Sequence, residues 1–169
     1  MLGWLILLVL LSAVASFIGT WLDPPRTILA DGRAIIVADG DSFAIGGQKL
    51  RLDGIDAPEY RQTCRDASGA EWQCGKASRA ALEKLLRLPA LSCVSDASDP
   101  YGRSIATCSA ARIPDLAAAQ VATGMAISHE YLGIRTYGDE EDIARAAKHG
   151  LWAGEFTRPS EWRASQASK

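Results

Sequence analysis

The sequence has no surplus of basic charge and almost no histidine. Its 169 residues carry 18 Lys and Arg against 20 Asp and Glu, a net charge of −2. It is therefore not a polybasic scaffold that coats nucleic acid, and any affinity for a polyanion has to come from a local site. Two histidines occur, His129 and His149, and both read as surface residues rather than catalytic ones. No Cys-x-x-Cys is present and no histidine pair accompanies the cysteines, which argues against a zinc site. Internal repeats and low-complexity tracts are missing as well.

The stretch from Leu2 to Leu22 lacks any charge and is rich in Leu, Val, Ile and Trp. At about 1.5 Å per residue, such a helix just spans a hydrocarbon core of about 30 Å. Residues 1–22 therefore read as an uncleaved membrane anchor. The competing reading is a signal peptide, with Leu2–Leu11 as its apolar region and Ala13-Val14-Ala15 as a small-residue cleavage site. The absence of a basic stretch before the apolar run weighs against the signal peptide. Arg26 and Arg33 follow the run, so the positive-inside rule taken literally leaves the body in the cytoplasm.

The cysteines point the other way. There are four, Cys64, Cys74, Cys93 and Cys108, which allow three pairings. Cys64 and Cys74 bracket a glycine-containing loop. Cys93 and Cys108 lie in two β-like runs joined by a turn, where they can face each other. The expected pairs are thus 64–74 and 93–108, each constraining the unfolded chain by roughly 2–3 kcal/mol, with buried free thiols as the alternative. An even cysteine count behind an export segment favours an oxidising compartment, periplasmic or extracellular.

Asp23-Pro24-Pro25-Arg26 breaks the chain stiffly, and residues 23–33 read as a linker. Ala34–Val37, Ser42–Ile45 and Gln48–Leu52 read as three strands, the last two joined by the hairpin dipeptide Gly46-Gly47. Residues 60–74 read as a loop. Gly75–Leu88 reads as a helix with a stripe of Ala77, Ala81, Leu85 and Leu88, stopped by Pro89. Leu91–Ser95 and Ser104–Ser109 read as strands around the Asp99-Pro100-Tyr101-Gly102 turn. Two further helices are expected, from Pro114 to Val121 and from Asp139 to His149. Beyond Thr157 the tail is polar and expected to fray, apart from packing by Trp162; residues 164–169 are read as tail. The expected class is α+β, mostly β, with the domain spanning residues 34–163. Five strands with a helix between the third and fourth fit a small closed barrel of the OB type, with about three helices, behind the N-terminal apolar helix.

Five short pieces carry chemistry: Asp39-Gly40-Asp41-Ser42, Arg51-Leu52, Gly54-Ile55-Asp56-Ala57-Pro58-Glu59, Cys74-Gly75-Lys76-Ala77 and Asp99-Pro100-Tyr101-Gly102-Arg103. Asp41 and Asp56 sit at the ends of neighbouring strands and, with a backbone carbonyl, form an oxygen-only donor set suited to Ca2+. Glu59 follows a proline that fixes its backbone and is placed to act on water. Arg51 and Arg103 offer planar guanidinium groups to phosphate oxygens. Each piece alone has a plainer reading: a turn at Asp39-Gly40-Asp41, a solvated Glu59, a strand-edge ion pair for Arg51, an exposed turn for Arg103.

Together with Ala144-Arg145 and Gly150-Leu151-Trp152, these pieces resemble the staphylococcal nuclease (thermonuclease-like) family, over about Ala34 to Trp162; the Cys64 and Cys74 positions resemble its exported bacterial branch. The resemblance implies an OB barrel with three helices and hydrolysis of phosphodiester bonds in DNA or RNA with little sequence preference. It implies Asp41, Asp56 and the carbonyl of Ala57 as Ca2+ ligands, Ala57 standing where many relatives have Thr. It implies Glu59 as general base, Arg51 as phosphate clamp, and Arg103 as a clamp that also helps the leaving oxygen depart. Tyr101 and Tyr131 are the candidate nucleotide contacts, Tyr101 through the phosphate and Tyr131 by stacking on a base. The expected form is a monomer. Two other classes stay open: a catalytically silent barrel serving as an interaction module, and an envelope domain whose groove binds a protein.

Overall fold

The computed structural model describes residues 24–167. The segment read as anchor or signal peptide lies outside these residues, as do 168–169 of the tail. Among the described residues no helix is long and apolar enough to cross a membrane.

In chain order the elements are strands β1 (Arg26–Leu29), β2 (Ile35–Val37), β3 (Ser42–Ile45), β4 (Gln48–Leu52), β5 (Ile55–Asp56), β6 (Cys64–Arg65) and β7 (Glu71–Trp72), helix α1 (Cys74–Leu86), β8 (Ser92–Ser98), β9 (Ser104–Ser109), α2 (Leu116–Ala122), β10 (Ile127–Ser128), β11 (Glu130–Tyr131), β12 (Ile134–Arg135), α3 (Gly138–Ala146), a 3-10 turn (Gly150–Ala153) and α4 (Pro159–Ala167). The fold is α+β. Six strands form one mixed sheet in the order β1-β8-β9-β4-β3-β2, curled as a half-barrel. Its neighbours are antiparallel except β4 and β9, which run parallel with Arg51 opposite Ile105. Two-stranded pairs β5–β10, β6–β7 and β11–β12 accompany it.

The main core lies between this sheet and α1 and α2. Ile45, Leu50, Leu52, Leu82, Leu116 and Val121 are at most 1 % exposed, and burying one such side chain contributes about 1.5–3 kcal/mol. A smaller apolar cluster surrounds the Cys64–Cys74 bridge with Ile127 and Leu151. There Trp152 packs edge-on against Phe156, with ring centroids 5.0 Å apart. Both expected disulfides are formed, Cys64–Cys74 with S–S 2.02 Å and Cys93–Cys108 with S–S 2.08 Å. The second joins residues directly opposite in the β8–β9 ladder.

Several elements differ from the sequence reading. The stretch 60–74 read as a loop holds the short strands β6 and β7, paired with each other. The stretch read as a linker contains β1, which pairs with β8 at the sheet edge. It is four residues long with Ile28 alone buried, too short to show a period. On α1 the buried face is Cys74, Gly75, Ser78, Leu82 and Leu86, one residue away from the expected stripe. Ser78 faces inward because its hydroxyl donates to the Met125 carbonyl at 2.6 Å, and a face containing a buried serine is not marked by apolar periodicity. The tail expected to fray forms a fourth helix, α4. Its buried residue is Pro159, and the sequence expectation for Trp162 is met by partial burial.

Candidate functional site

The sheet register brings the separated charge-bearing pieces to one end. Ser42 opens β3 opposite Arg51 near the end of β4. The parallel pairing of β4 and β9 sets Ser104 beside Leu50, so Arg103 enters the sheet next to Arg51. The β5–β10 pair places Asp56 opposite Ile127. Two glycines permit the tight approach of α1. A Cβ on Gly75 would meet the Glu59 carbonyl oxygen at 1.8 Å, and one on Gly40 would meet the Ser78 hydroxyl at 1.8 Å. The helix therefore starts directly against the Glu59 backbone and the Asp39–Asp41 turn.

The side chains form one alternating chain of charge. Arg51 Nη1 donates to Asp41 Oδ1 at 2.6 Å, and its Nη2 donates to Asp56 Oδ1 at 3.2 Å and to the Ile55 carbonyl at 3.2 Å. Arg163 of α4 continues the chain, its Nη1 donating to Asp56 Oδ1 at 2.9 Å and to Glu59 Oε1 at 3.0 Å, and its Nη2 to Asp56 Oδ2 at 3.2 Å. Ser42 donates its hydroxyl to Asp41 Oδ1 at 2.7 Å and accepts from Arg103 Nη1 at 3.0 Å. Arg103 is steadied from behind, its Nε donating to Asp99 Oδ2 at 2.7 Å. Burial opposes charge on Asp99, but the N–H groups of Arg103 and Tyr101 and the Arg103 side chain hold its carboxyl below the ordinary range.

Asp41 is 2 % exposed. Burial pushes its carboxyl up to about 7, Arg51 pulling the other way and Asp39 adding to the rise. Three donors still point at it: the Ser42 hydroxyl, Arg51 Nη1, and the Ala57 N–H, which reaches Oδ2 at 3.0 Å. Arg51 bridges Asp41 and Asp56, so the two carboxylates lie close enough to share one cation, and hard carboxylate oxygens are the donor type that a Ca2+-like ion takes. Among the described residues no three acidic, histidine or cysteine side chains converge as a metal cage.

Arg51, Glu59, Tyr101, Arg103 and Arg163 line a cavity of about 550 Å³, with Asp39 and Lys49 completing the wall. Tyr101 is 83 % exposed, its ring beside the Arg103 guanidinium at 5.8 Å. Tyr131 lies on β11, 71 % exposed, and lines neither this cavity nor the one beyond Arg163. Both histidines are exposed. The structure thus brings together Asp41, Arg51, Asp56, Ala57, Glu59 and Arg103, puts Tyr101 at the mouth, and leaves Tyr131 apart.

Two residues of this network lie outside the site expected from the sequence. Arg163 falls in the stretch expected to fray, although Arg158-Pro159 followed by Trp162-Arg163 carries a helix-opening proline. Gln62 falls in the stretch 60–74 that reads as loop. It is fully buried, its Oε1 accepting from the Glu59 N–H at 3.3 Å and its Nε2 donating to the Thr157 carbonyl at 2.7 Å. It ties the Glu59 segment to the strand of chain that leads into α4.

Residues 49–154 match the family model described as staphylococcal nuclease homologue. The chain belongs to this family. The matched residues include Arg51, Asp56, Ala57, Glu59, Tyr101 and Arg103; Asp41 lies before them and α4 after them. The succinoglycan biosynthesis protein ExoI of Rhizobium meliloti (strain 1021) is 32 % identical over 122 residues, covering 72 % of this chain and 63 % of the relative's own length. The chain therefore spans less than two thirds of that relative, whose name speaks of succinoglycan biosynthesis and not of a nuclease.

Proposed function

We propose that this member of the staphylococcal nuclease homologue family is a cation-dependent phosphodiesterase that hydrolyses DNA or RNA with low sequence preference. The observation that carries the reading is the unbroken series Asp41, Arg51, Asp56, Arg163 and Glu59, joined to Arg103 through Ser42, of which Arg51, Glu59, Arg103 and Arg163 line one open cavity. Such a series gathers three carboxylates and three guanidinium groups at a cavity the size of a nucleotide site.

In this reading Asp41, Asp56 and the Ala57 carbonyl hold Ca2+, which when bound supplies positive charge to a phosphate oxygen and to water. Glu59 accepts the proton of the attacking water, its main chain held by Gln62 and by contact with Gly75. The new bond forms between the water oxygen and phosphorus, and the bond from phosphorus to the leaving oxygen breaks, 3′-phosphate ends being the outcome that the family suggests. Arg51 and Arg103 stabilise charge on the equatorial oxygens, and their fixation by Asp41, Asp56 and Asp99 means that little reorganisation is needed at the moment of reaction. Arg103 also faces the departing oxygen, and Tyr101 donates to a substrate phosphate. Stacking on Tyr131 has no geometric support from either cavity. The curled six-stranded sheet supports reading the platform as an OB-type barrel. Two disulfides suggest a location outside the cytoplasm, and a monomer suffices because every group named comes from one chain.

The relative's name favours a second reading, a silent envelope module whose groove binds without cleaving. Cleavage of single-stranded DNA and RNA by the full-length protein, with its disulfides formed, separates the two. Ca2+-dependent cleavage that chelator abolishes, reduced about 10²- to 10⁴-fold in Glu59→Gln, supports the phosphodiesterase. No cleavage by a folded protein that Ca2+ raises in melting temperature supports the binding module.

A further inference from the structure

A second cavity, of about 390 Å³, opens on the far side of the same guanidinium groups. Arg51 and Arg163 line both cavities, so the two volumes meet at the candidate reaction centre. The wall of the second one includes Arg158 and Ser160 from the start of α4 and His129 from the segment after β10. Arg158 is half-buried. Among the described residues its side chain makes no hydrogen bond or ion pair; its one bond is through the backbone carbonyl, which accepts from the Trp162 N–H at 2.9 Å.

A half-buried guanidinium without an anion is an unmet demand, since removal from water is not repaid by a partner. The other guanidinium groups of the two cavities, those of Arg51, Arg103 and Arg163, have carboxylate partners. Asp53 and Glu130, the other acids on this wall, are exposed and screened by solvent. No Phe, Tyr or Trp lines the cavity, His129 being its one ring, so it offers mainly contacts to a charged backbone. α4 lies beyond the residues that the family model matches.

We propose that this second cavity is an anion subsite that takes the phosphate next to the scissile one along a polynucleotide strand, with Arg158 as its main ligand and Ser160 and His129 as hydrogen-bonding partners. The proposal rests on the phosphodiesterase reading, because the strand is located by the phosphate held between Arg51 and Arg103. A strand laid across the Arg51–Arg163 saddle then occupies one cavity on each side of the bond to be cut.

The test uses the full-length protein with chelator present, so that binding is read without cleavage. Fluorescence anisotropy measures affinity for a thymidine dinucleotide, with one internal phosphate, and for a hexanucleotide, at several salt concentrations. Arg158→Gln is expected to weaken hexanucleotide binding about five- to tenfold and to lower the slope of log affinity on log salt by about 0.7, the value of one single-strand phosphate contact. Arg158→Lys, which keeps the charge, is expected to restore most of the slope. A melting temperature of Arg158→Gln equal to the parent's excludes a folding defect. If the parent binds the hexanucleotide or cleaves it with Ca2+, and Arg158→Gln keeps both affinity and slope, the subsite is overturned and the phosphodiesterase reading stands. If the parent neither binds nor cleaves, both fall.

Discussion

Replacing Arg163 with alanine removes the guanidinium that lies between Asp56 and Glu59. The loss involves three contacts, at 2.9, 3.2 and 3.0 Å. Burial works against the charge on Arg163, but its bonds to Asp56 and Glu59 outweigh that and raise its pKa. The Arg163 side chain is 42 % exposed, that of Asp56 9 % and that of Glu59 30 %, so solvent screens the pair and the full low-dielectric attraction does not apply. Partly exposed ion pairs contribute up to about 1 kcal/mol each, and two carboxylates give a total of about 1–2 kcal/mol. The cation-free Arg163→Ala protein is expected to be less stable by that amount, because Asp56 keeps Arg51 as its one cationic partner. On the proposed reading its Ca2+ affinity is expected to rise, because Arg163 competes with the ion for Asp56. The gain is about fivefold for the roughly 1 kcal/mol of that pair. Differential scanning fluorimetry with chelator and then along a Ca2+ titration reads both effects, the melting-temperature rise per unit Ca2+ being larger in the variant. Equal or weaker Ca2+ affinity in Arg163→Ala would refute the idea that the ion shares ligands with Arg163.

The pH dependence has a definite sign. The folded pKa of Asp41, about 7, lies above its ordinary 3.8, so its contribution is fully present below about pH 4 and is lost as pH rises through 7. Asp99 and Asp142 are shifted the opposite way, below 3.8, and their contribution is lost as pH falls through those lower values. Urea unfolding in chelator should therefore show a protein more stable at pH 5 than at pH 8, and Ca2+ should narrow the difference; greater stability at pH 8 without Ca2+ sinks this account. Glu141, 1 % exposed, accepts from the Ser128 N–H at 2.7 Å and from Arg145 at 2.6 Å. Glu141→Ala removes the acceptor of these donors, leaving the buried Ser128 N–H unpaired, and should cost about 1–3 kcal/mol and loosen β10, the partner of Asp56, which hydrogen exchange at Ser128 would report. Cys93→Ser with Cys108→Ser opens a link across a sequence separation of 15 and should lower stability by about 3 kcal/mol in denaturant melts, with the geometry around Arg51 kept.

Much of the site was legible because its signals are local. Asp39-Gly40-Asp41, the Gly54–Glu59 run and Asp99–Arg103 are turns whose residue types report their own geometry, and Asp99 shows why: its side chain accepts from the Tyr101 and Arg103 N–H groups at 2.9 Å each. The β3–β4 hairpin at Gly46-Gly47 and the disulfide pairs follow from equally short-range patterns. Arg163 was not legible. Its partner Asp56 is 107 residues away, and α4 shows no strong apolar face, because a tethered Thr157, a buried Pro159 and an ion pair hold it in place of a packed stripe. The α1 face was misplaced for a related reason: a serine is buried there by a hydrogen bond to Met125.

The amino-acid sequence by itself determined the class of the fold, the pairing of its cysteines and the residue types of the candidate site, since periodicity, turn chemistry and short spacings act within a few residues of one another. The tertiary structure alone decided how the charges are partnered. The parallel pairing of β4 with β9 put Arg103 beside Arg51, the fold-back of α4 put Arg163 between two carboxylates, and burial raised Asp41 to about 7. These outcomes depend on distance and dielectric between segments far apart in the chain, and such quantities exist only once the chain has closed on itself.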